Sequence, residues 1–449
     1  MRHTNAEALS SEALAGEISR RFVARAVQRL SRDLPQLNRS VLRASERELH
    51  RRLTEVWRPC VTVRFNAYRG AFLAIRGPAA IGVVQQAFLA REAAKLPEEF
   101  PELKRLSARL ASQWQRNACE IIKRFKRDRA LIARRLCSSR PLGRLRAMRI
   151  GLSDAHDGGR TVALLRFERG CVIYKPRRGD ADRAWMALVE WAIDEIPALK
   201  LKTAWVLRRP GYCWMEYMRP SRCRTDAQLD AYFYRAGALL CLAQLTGIVD
   251  CHKENVAVAG SQPVLVDAEA RLDRGRSSAV RGSNDHYDPV RTGWLPHGRG
   301  ISPLEKTDAR ARARIVAGYT TMWNSLLRER ARRASLRRRL QRWSRIAWRL
   351  VLRPTSDYAA ICAASLHPAL MQSRDRRRDA IEQWLRSTPR SADHIEEEIR
   401  ALHNLDIPRF YSDPAGDAEL PDVALLGDYV QAIEAALHSG PASSAPSLQ

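Results

Sequence analysis

The chain has 449 residues, 45% hydrophobic and 28% charged, which excludes wholesale disorder, collagen and a disulfide mini-protein. Lys plus Arg number 77 against 49 Asp plus Glu, a net charge of +28, and a field of that sign favours nucleic acid, acidic peptide, phosphate or membrane headgroups. No run of about 18 uncharged apolar residues occurs, so no membrane-spanning helix is expected. The start, MRHTNAEALSSEALAGEISRR, has no apolar signal core. Nine Cys without a CxxC pair or a zinc-spaced Cys/His cluster point to a reduced cytoplasmic setting and no structural zinc.

Residues 1–150 are expected to be a helical N-terminal region: Arg and Ala are dense and apolar positions recur three and four apart. The pattern changes at 151. TVALLRF (161–167) and CVIYK (171–175) predict a hairpin across Gly170. Residues 182–194 predict a helix, and 203–209 with 212–218 a second hairpin across Pro210-Gly211. Residues 225–246 predict a long apolar helix, with Asp226 near its start and Gly247 just past its end. Two short strands, NVAVAG and PVLVDAE, follow. Residues 270–303 predict a long loop, rich in Gly, Arg and Ser. Helix returns over 304–349 and 357–403, and the tail from 439 to 449 is expected to be disordered. The segments 151–218 and 219–303 predict two lobes between helical ends, the second end being 304–438.

Chemistry concentrates in DCHKENVAVAGSQPVLVDAE (250–269). Asp250 and Asn255 are five apart in a loop after a helix, and Asp267 closes a short hairpin twelve residues on. A kinase loop needs one Asp to orient the attacking hydroxyl, then an Asn and a second Asp as hard-oxygen ligands for Mg²⁺. His252 lies inside the loop, where it can act on a proton or on phosphate charge. Upstream, Gly158-Gly159 in DAHDGGR would let backbone amides approach phosphate. Lys175 ends the next strand as a phosphate-reaching cation. Glu216 and Met218 fall at an adenine-binding hinge. Each piece alone is ordinary turn or surface chemistry; their order and spacing together predict an ATP–Mg²⁺ site.

These segments resemble the dehydratase domain of class II, LanM-type lanthipeptide synthetases: GLSDAHDGGR, VIYKPRRGD, VDCHKEN and LVDAEARL, then VRTGWLP (290–296) and LHNLDIPRF (402–410). The resemblance implies an α+β, lipid-kinase-like or protein-kinase-like two-lobed core with helical elaborations. It implies a standalone enzyme that uses ATP and Mg²⁺ to phosphorylate Ser and Thr of a ribosomally made precursor peptide, bound through its leader. Phosphate elimination to dehydroamino acids would follow. By position, Lys175, Asp250, His252, Asn255 and Asp267 match the phosphorylation set. Asp154 and His156 match the phosphate-proximal acid and His, and Thr292 matches a Thr of elimination. Position 286, where the family carries an elimination Arg, is His; Arg281 and Arg291 stand nearby. No Cys-His-Gly zinc motif is present, so ring closure would fall to a separate cyclase. A small-molecule or lipid-headgroup kinase shares the same grammar. A basic nucleic-acid-binding protein fits the charge but not the intact Lys-Asp-Asn-Asp set, and nucleic acid is not the expected partner.

Overall fold

The computed structural model describes residues 2–137, 140–272, 288–296, 302–305, 307–387, 394–412 and 420–438, with side chains from Ser11 onward. Arg281, His286, most of the expected 270–303 loop and the 439–449 tail lie outside the described residues. In chain order, α1 (Arg2–Asp33), α2 (Arg43–Arg76), α3 (Ile81–Arg91), α4 (Leu96–Glu99) and α5 (Pro101–Cys137) precede β1 (Leu145–Ile150), β2 (Ala163–Phe167) and β3 (Gly170–Lys175). Then come α6 (Asp180–Glu195), β4 (Val206–Arg209), β5 (Tyr212–Glu216), α7 (Asp226–Thr246), β6 (Val256–Ala259) and β7 (Gln262–Leu265). Beyond these lie α8 (Ala309–Trp323), α9 (Arg330–Trp343), β8 (Arg349–Leu350), α10 (Thr355–Ala364), α11 (Pro368–Met371), α12 (Arg374–Ser387), α13 (Ile395–Leu402), β9 (Phe410–Tyr411) and α14 (Leu426–His438). The fold is α+β. Among the described residues no single helix is long and apolar enough to cross a membrane.

The chain forms two compact units, Met1–Pro176 with Leu352–Arg409 and Arg177–Val351 with Phe410–Gln449. In the first, α5 buries Leu103, Leu106, Leu110, Trp114, Ile121, Phe125 and Ile132 along one stripe, spaced as a helical face requires. Its basic residues fall on the rest of the surface. The expectation of helix throughout 1–150 needs correction: residues 145–150 are β1, paired antiparallel with β2 from Leu145↔Phe167 to Ile150↔Ala163. Its buried positions, Met148 and Ile150, flank exposed Arg149. Ser45 of α2 fixes it, the hydroxyl donating to the Met148 carbonyl at 2.6 Å and accepting from the Ile150 amide at 3.2 Å. That anchor lies some hundred residues upstream, beyond the reach of local pattern. Helices α10–α13 enclose Tyr358, Ile381, Leu385, Ile395, Ile399, Leu402 and Ile407. Beside this cluster Arg353 donates to the buried Glu398 at 2.9 Å.

In the second unit, α7 begins at Thr225, whose side chain accepts from the Gln228 amide, and ends at left-handed Gly247, as a capped helix should. It is buried over most of its length from Tyr232 to Thr246. Helix α8 crosses it at two glycines: a Cβ on Gly237 would sit 1.9 Å from the Ile315 carbonyl oxygen, and one on Gly318 1.8 Å from that of Tyr234. Hairpins β4–β5 and β6–β7 stand at the two ends of the segment 217–255, and β6 is tied to Ser221 by its Val258 carbonyl.

Candidate active site

The loop between α7 and β6 is tightly determined. Ile248 and Val249 are held to the strand-like stretch 270–271, so the chain emerges from α7 in a fixed direction. Asp250 then adopts a left-handed conformation, φ 65°, a cost that a non-glycine residue bears only when its surroundings impose it. Two bonds impose it here. The Asn255 side-chain amide donates to the Asp250 carbonyl at 2.7 Å, and the Cys251 amide donates to the Thr292 carbonyl at 2.9 Å. The first bond orients the Asn255 amide and leaves its carbonyl oxygen, a hard ligand atom, on the opposite branch. His252 accepts at Nδ1 from the Glu254 amide, 3.3 Å, and its Nε2 lies between the Asn255 side-chain nitrogen, 3.2 Å away, and Asp250 Oδ1, 3.4 Å away.

Asp267 lies two residues past β7, opposite this loop, because the Val266 amide is bonded to the Asn255 carbonyl at 2.8 Å. Burial raises the Asp250 carboxyl above its ordinary value, and the negative charges of Asp267 and Glu269 push it further up, while His252 and Arg349 oppose them. The clustered carboxylates are counterbalanced by Arg177. Its buried guanidinium bonds Asp182 at 2.6 and 3.1 Å and Asp267, and pairs by charge with Glu269 at 2.7 Å. Arg349 adds a bond to the other oxygen of Glu269 at 3.2 Å. With three carboxylates around it, Arg177 is held protonated far beyond its ordinary range.

Of the residues singled out in the sequence, Asp250, His252, Asn255 and Asp267 therefore converge in the second unit. Thr292 is buried there, its hydroxyl donating to the Pro289 carbonyl at 2.7 Å and accepting from the Trp294 amide at 3.2 Å. Its backbone, not its hydroxyl, touches the 250–255 loop; Gly293 (φ 83°) packs so closely that a Cβ would meet the Cys251 nitrogen at 3.0 Å. Arg291 is its half-buried neighbour. Glu216 ends β5 with its carboxylate accepting from the Trp205 amide at 3.2 Å, and Met218 is buried in the strandless segment beyond.

In the first unit, Asp154, His156, Gly158 and Gly159 share one turn. His156 and Arg160 exchange both backbone bonds, and Asp157, Gly158 and Gly159 between them all have positive φ. Buried His156 bonds the Ile407 carbonyl through Nδ1 at 2.7 Å. The Gly158 amide donates to the Asp406 carboxylate at 3.1 Å, so within this turn an acid of the DIP segment occupies the position expected for phosphate. Exposed Asp154 stands on the lip of a groove between α1, α2 and α10. Lys175, the last residue of β3, is buried.

Sequence reasoning missed Arg177, Asp182, Glu269 and Arg349. Two signals were present: Arg177 follows Lys175 by two, and Glu269 follows Asp267 by two, the spacing that puts alternate residues on one side of an extended chain. Among the described residues no three His, Cys, Asp or Glu side chains are placed to hold a metal together. Asn255 with Asp267 supplies two hard oxygens, the number Mg²⁺ takes from protein when phosphates complete its shell.

A family model described as a domain of unknown function (DUF4135) matches residues 100–311 and 305–413. The lacticin 481/lactococcin biosynthesis protein LcnDR2 of Lactococcus lactis subsp. lactis is 25% identical over 162 residues, 34% of this chain and 17% of its own length. The match thus spans about a sixth of that relative.

Proposed function

Starting from a chain that belongs to the DUF4135 family, we propose an ATP-dependent kinase that phosphorylates Ser and Thr hydroxyls of a ribosomally made precursor peptide in lanthipeptide biosynthesis, on a kinase-like two-lobed core. The observation that carries the reading is the Asp250–His252–Asn255 loop set against Asp267. The similarity to a lacticin biosynthesis protein supports a peptide substrate.

Asp250 is the group to orient the hydroxyl and accept its proton. Its carboxyl is raised by burial and neighbouring charge, which brings a general base nearer to the working pH. His252, with Nε2 3.4 Å from the Asp250 carboxylate, stands where it can steady that carboxylate and act on developing phosphoryl charge. Asn255 and Asp267 would hold Mg²⁺, which when bound supplies charge neutralisation to the nucleotide phosphates. The fit rests on the carboxylate crowding felt by Asp250, which a divalent cation would relieve. Arg177 keeps Asp267 in position from behind. Thr292 positions the loop through its carbonyl, and Arg291, next to it in the chain, supplies a cation of the kind needed to steady a leaving phosphate in elimination. Lys175, Asp154 and His156 are assigned to nucleotide and phosphate by the family resemblance, and Glu216 and Met218 to adenine, while the Gly158 amide is taken by Asp406.

Transfer of labelled γ-phosphate from ATP to a Ser-containing precursor tests this reading. Asn255→Ala and Asp267→Ala should each lose transfer while keeping the wild-type circular dichroism. Full transfer by either variant would remove the metal assignment, and preference for a lipid headgroup or small alcohol over peptide would move the acceptor class.

A further inference from the structure

Three helices of the first unit each contribute a pair of residues one turn apart. Arg105 and Arg109 come from α5, Arg374 and Arg378 from α12, and Glu396 and Arg400 from α13. With His403 and Asn404 they surround a hollow of about 530 Å³, lined by five arginines and one carboxylate, with a second carboxylate, Glu102, bonded to Arg105. Spacing of four places each pair on one helix face, and only the packing of the three helices makes the faces meet.

Not all of this charge is spent internally. Arg105 is: it takes Glu102 with two bonds of 2.7 Å and the His403 carbonyl at 2.9 Å. Arg378 is paired with Glu396 at 3.0 Å. Arg374 and Arg400, both exposed at the rim, have no side-chain partner among the described residues. Two buried atoms at the hollow are likewise unpartnered: Arg109 Nε and His403 Nε2. His403 is about nine-tenths buried, at 7% exposure, and Glu102 is 3.7 Å from its Nε2. Burial and the positive charges of Arg105, Arg377 and Arg374 hold its imidazole down at about 4, with Glu102 opposing.

We propose that this pocket is an oxyanion site that takes a phosphate dianion, either the free ion or the phosphoryl group of a phosphoserine side chain. Guanidinium forks from separate helices suit the several lone pairs of a tetrahedral dianion, whereas a single carboxylate can engage one fork at a time. The pocket lies outside the Asp250 loop and its occupation needs no nucleotide, so the inference stands or falls apart from the proposed kinase activity.

Calorimetric titration of the full chain without ATP tests it, using inorganic phosphate, a short phosphoserine peptide and the unphosphorylated twin of that peptide. Phosphate or the phosphopeptide should bind, and the double variant Arg374→Ala/Arg400→Ala should weaken binding at least tenfold. Binding of phosphate alone assigns the free ion, and stronger binding of the phosphopeptide assigns the peptide-borne group; both support the site. The His403 Cε1 proton resonance, identified by its loss in His403→Gln, should shift on saturation. Should the alanine pair fail to fold, Arg400→Gln alone is read by the same titration. No binding at millimolar ligand, equal binding of the unphosphorylated twin, or undiminished binding in the folded variant overturns the proposal.

Discussion

Replacement of Arg177 by Met tests whether the site is held by one buried cation. The guanidinium bonds Asp182, whose side chain is fully buried, Glu269, which is nearly so, and Asp267, whose side chain is 27% exposed. Met fills comparable volume, so the cavity contribution is small. What remains is buried negative charge without its counter-ion, for which breaking a buried pair costs about 3–5 kcal/mol. The cost depends on pH. Arg177 stays protonated throughout the range, so the variant's penalty belongs to the stranded carboxylates, which escape it by taking up protons. Urea unfolding followed by tryptophan fluorescence should therefore show a loss of about 3–5 kcal/mol at pH 8 and a smaller loss at pH 5. Arg177→Lys should fall between wild type and Met, because an ammonium cannot match a planar fork bonded to three acids. A loss below about 1 kcal/mol at pH 8, the level of a surface pair, or equal losses at both pH values, would show that Arg177 is not the counter-ion of these carboxylates.

The other predictions concern the same two units. Asp250→Asn should abolish phosphoryl transfer without destabilising the fold. A carboxyl raised above its ordinary 3.8 binds protons in the folded state where the unfolded chain has released them, so wild-type stability falls as pH rises through that window. The variant should match or exceed wild type in thermal unfolding above pH 5, and a lower midpoint there would contradict the assignment. His403 gives the opposite sign: lowered from 6.5 to about 4, it makes stability fall as pH drops from 6.5 toward 4. That slope should flatten in His403→Gln, as measured by denaturant midpoints. Gly237→Ala should cost at least about 1–3 kcal/mol by overpacking, since the Ile315 carbonyl it would strike is backbone. Gly70→Ala, in α2 with open space around it, should stabilise by up to about 1 kcal/mol; both are read in urea midpoints.

Much of the second unit's local structure is written in its sequence. Pro210-Gly211 and Gly170 mark real hairpins, and Thr225 and Gly247 bracket α7 as capping chemistry requires. The Asp250–Asn255–Asp267 spacing likewise identifies residues that the fold brings together, because a six-residue loop and a short hairpin leave little freedom. Strand β1 is different: LRAMRI offers only two buried positions among arginines, and Ser45 decides its fate from another helix. Arg177 was invisible as a hub because its three acids lie five, 90 and 92 positions away in the chain. Asp406 facing Gly158 is separated by 248 residues. Periodicity reports which face of a helix is apolar, not which charged pairs from three helices will meet.

Intact-mass measurement of a precursor peptide after incubation with the full chain, ATP and Mg²⁺ decides between a peptide kinase and the other readings. The peptide should gain about 80 Da for each hydroxyl phosphorylated, absent without ATP and absent with Asp267→Ala, and should show a net loss of about 18 Da wherever that phosphate is then eliminated. An unchanged peptide mass with folded wild-type protein and saturating ATP, or a gain that persists undiminished in Asp267→Ala, would contradict the peptide-kinase reading.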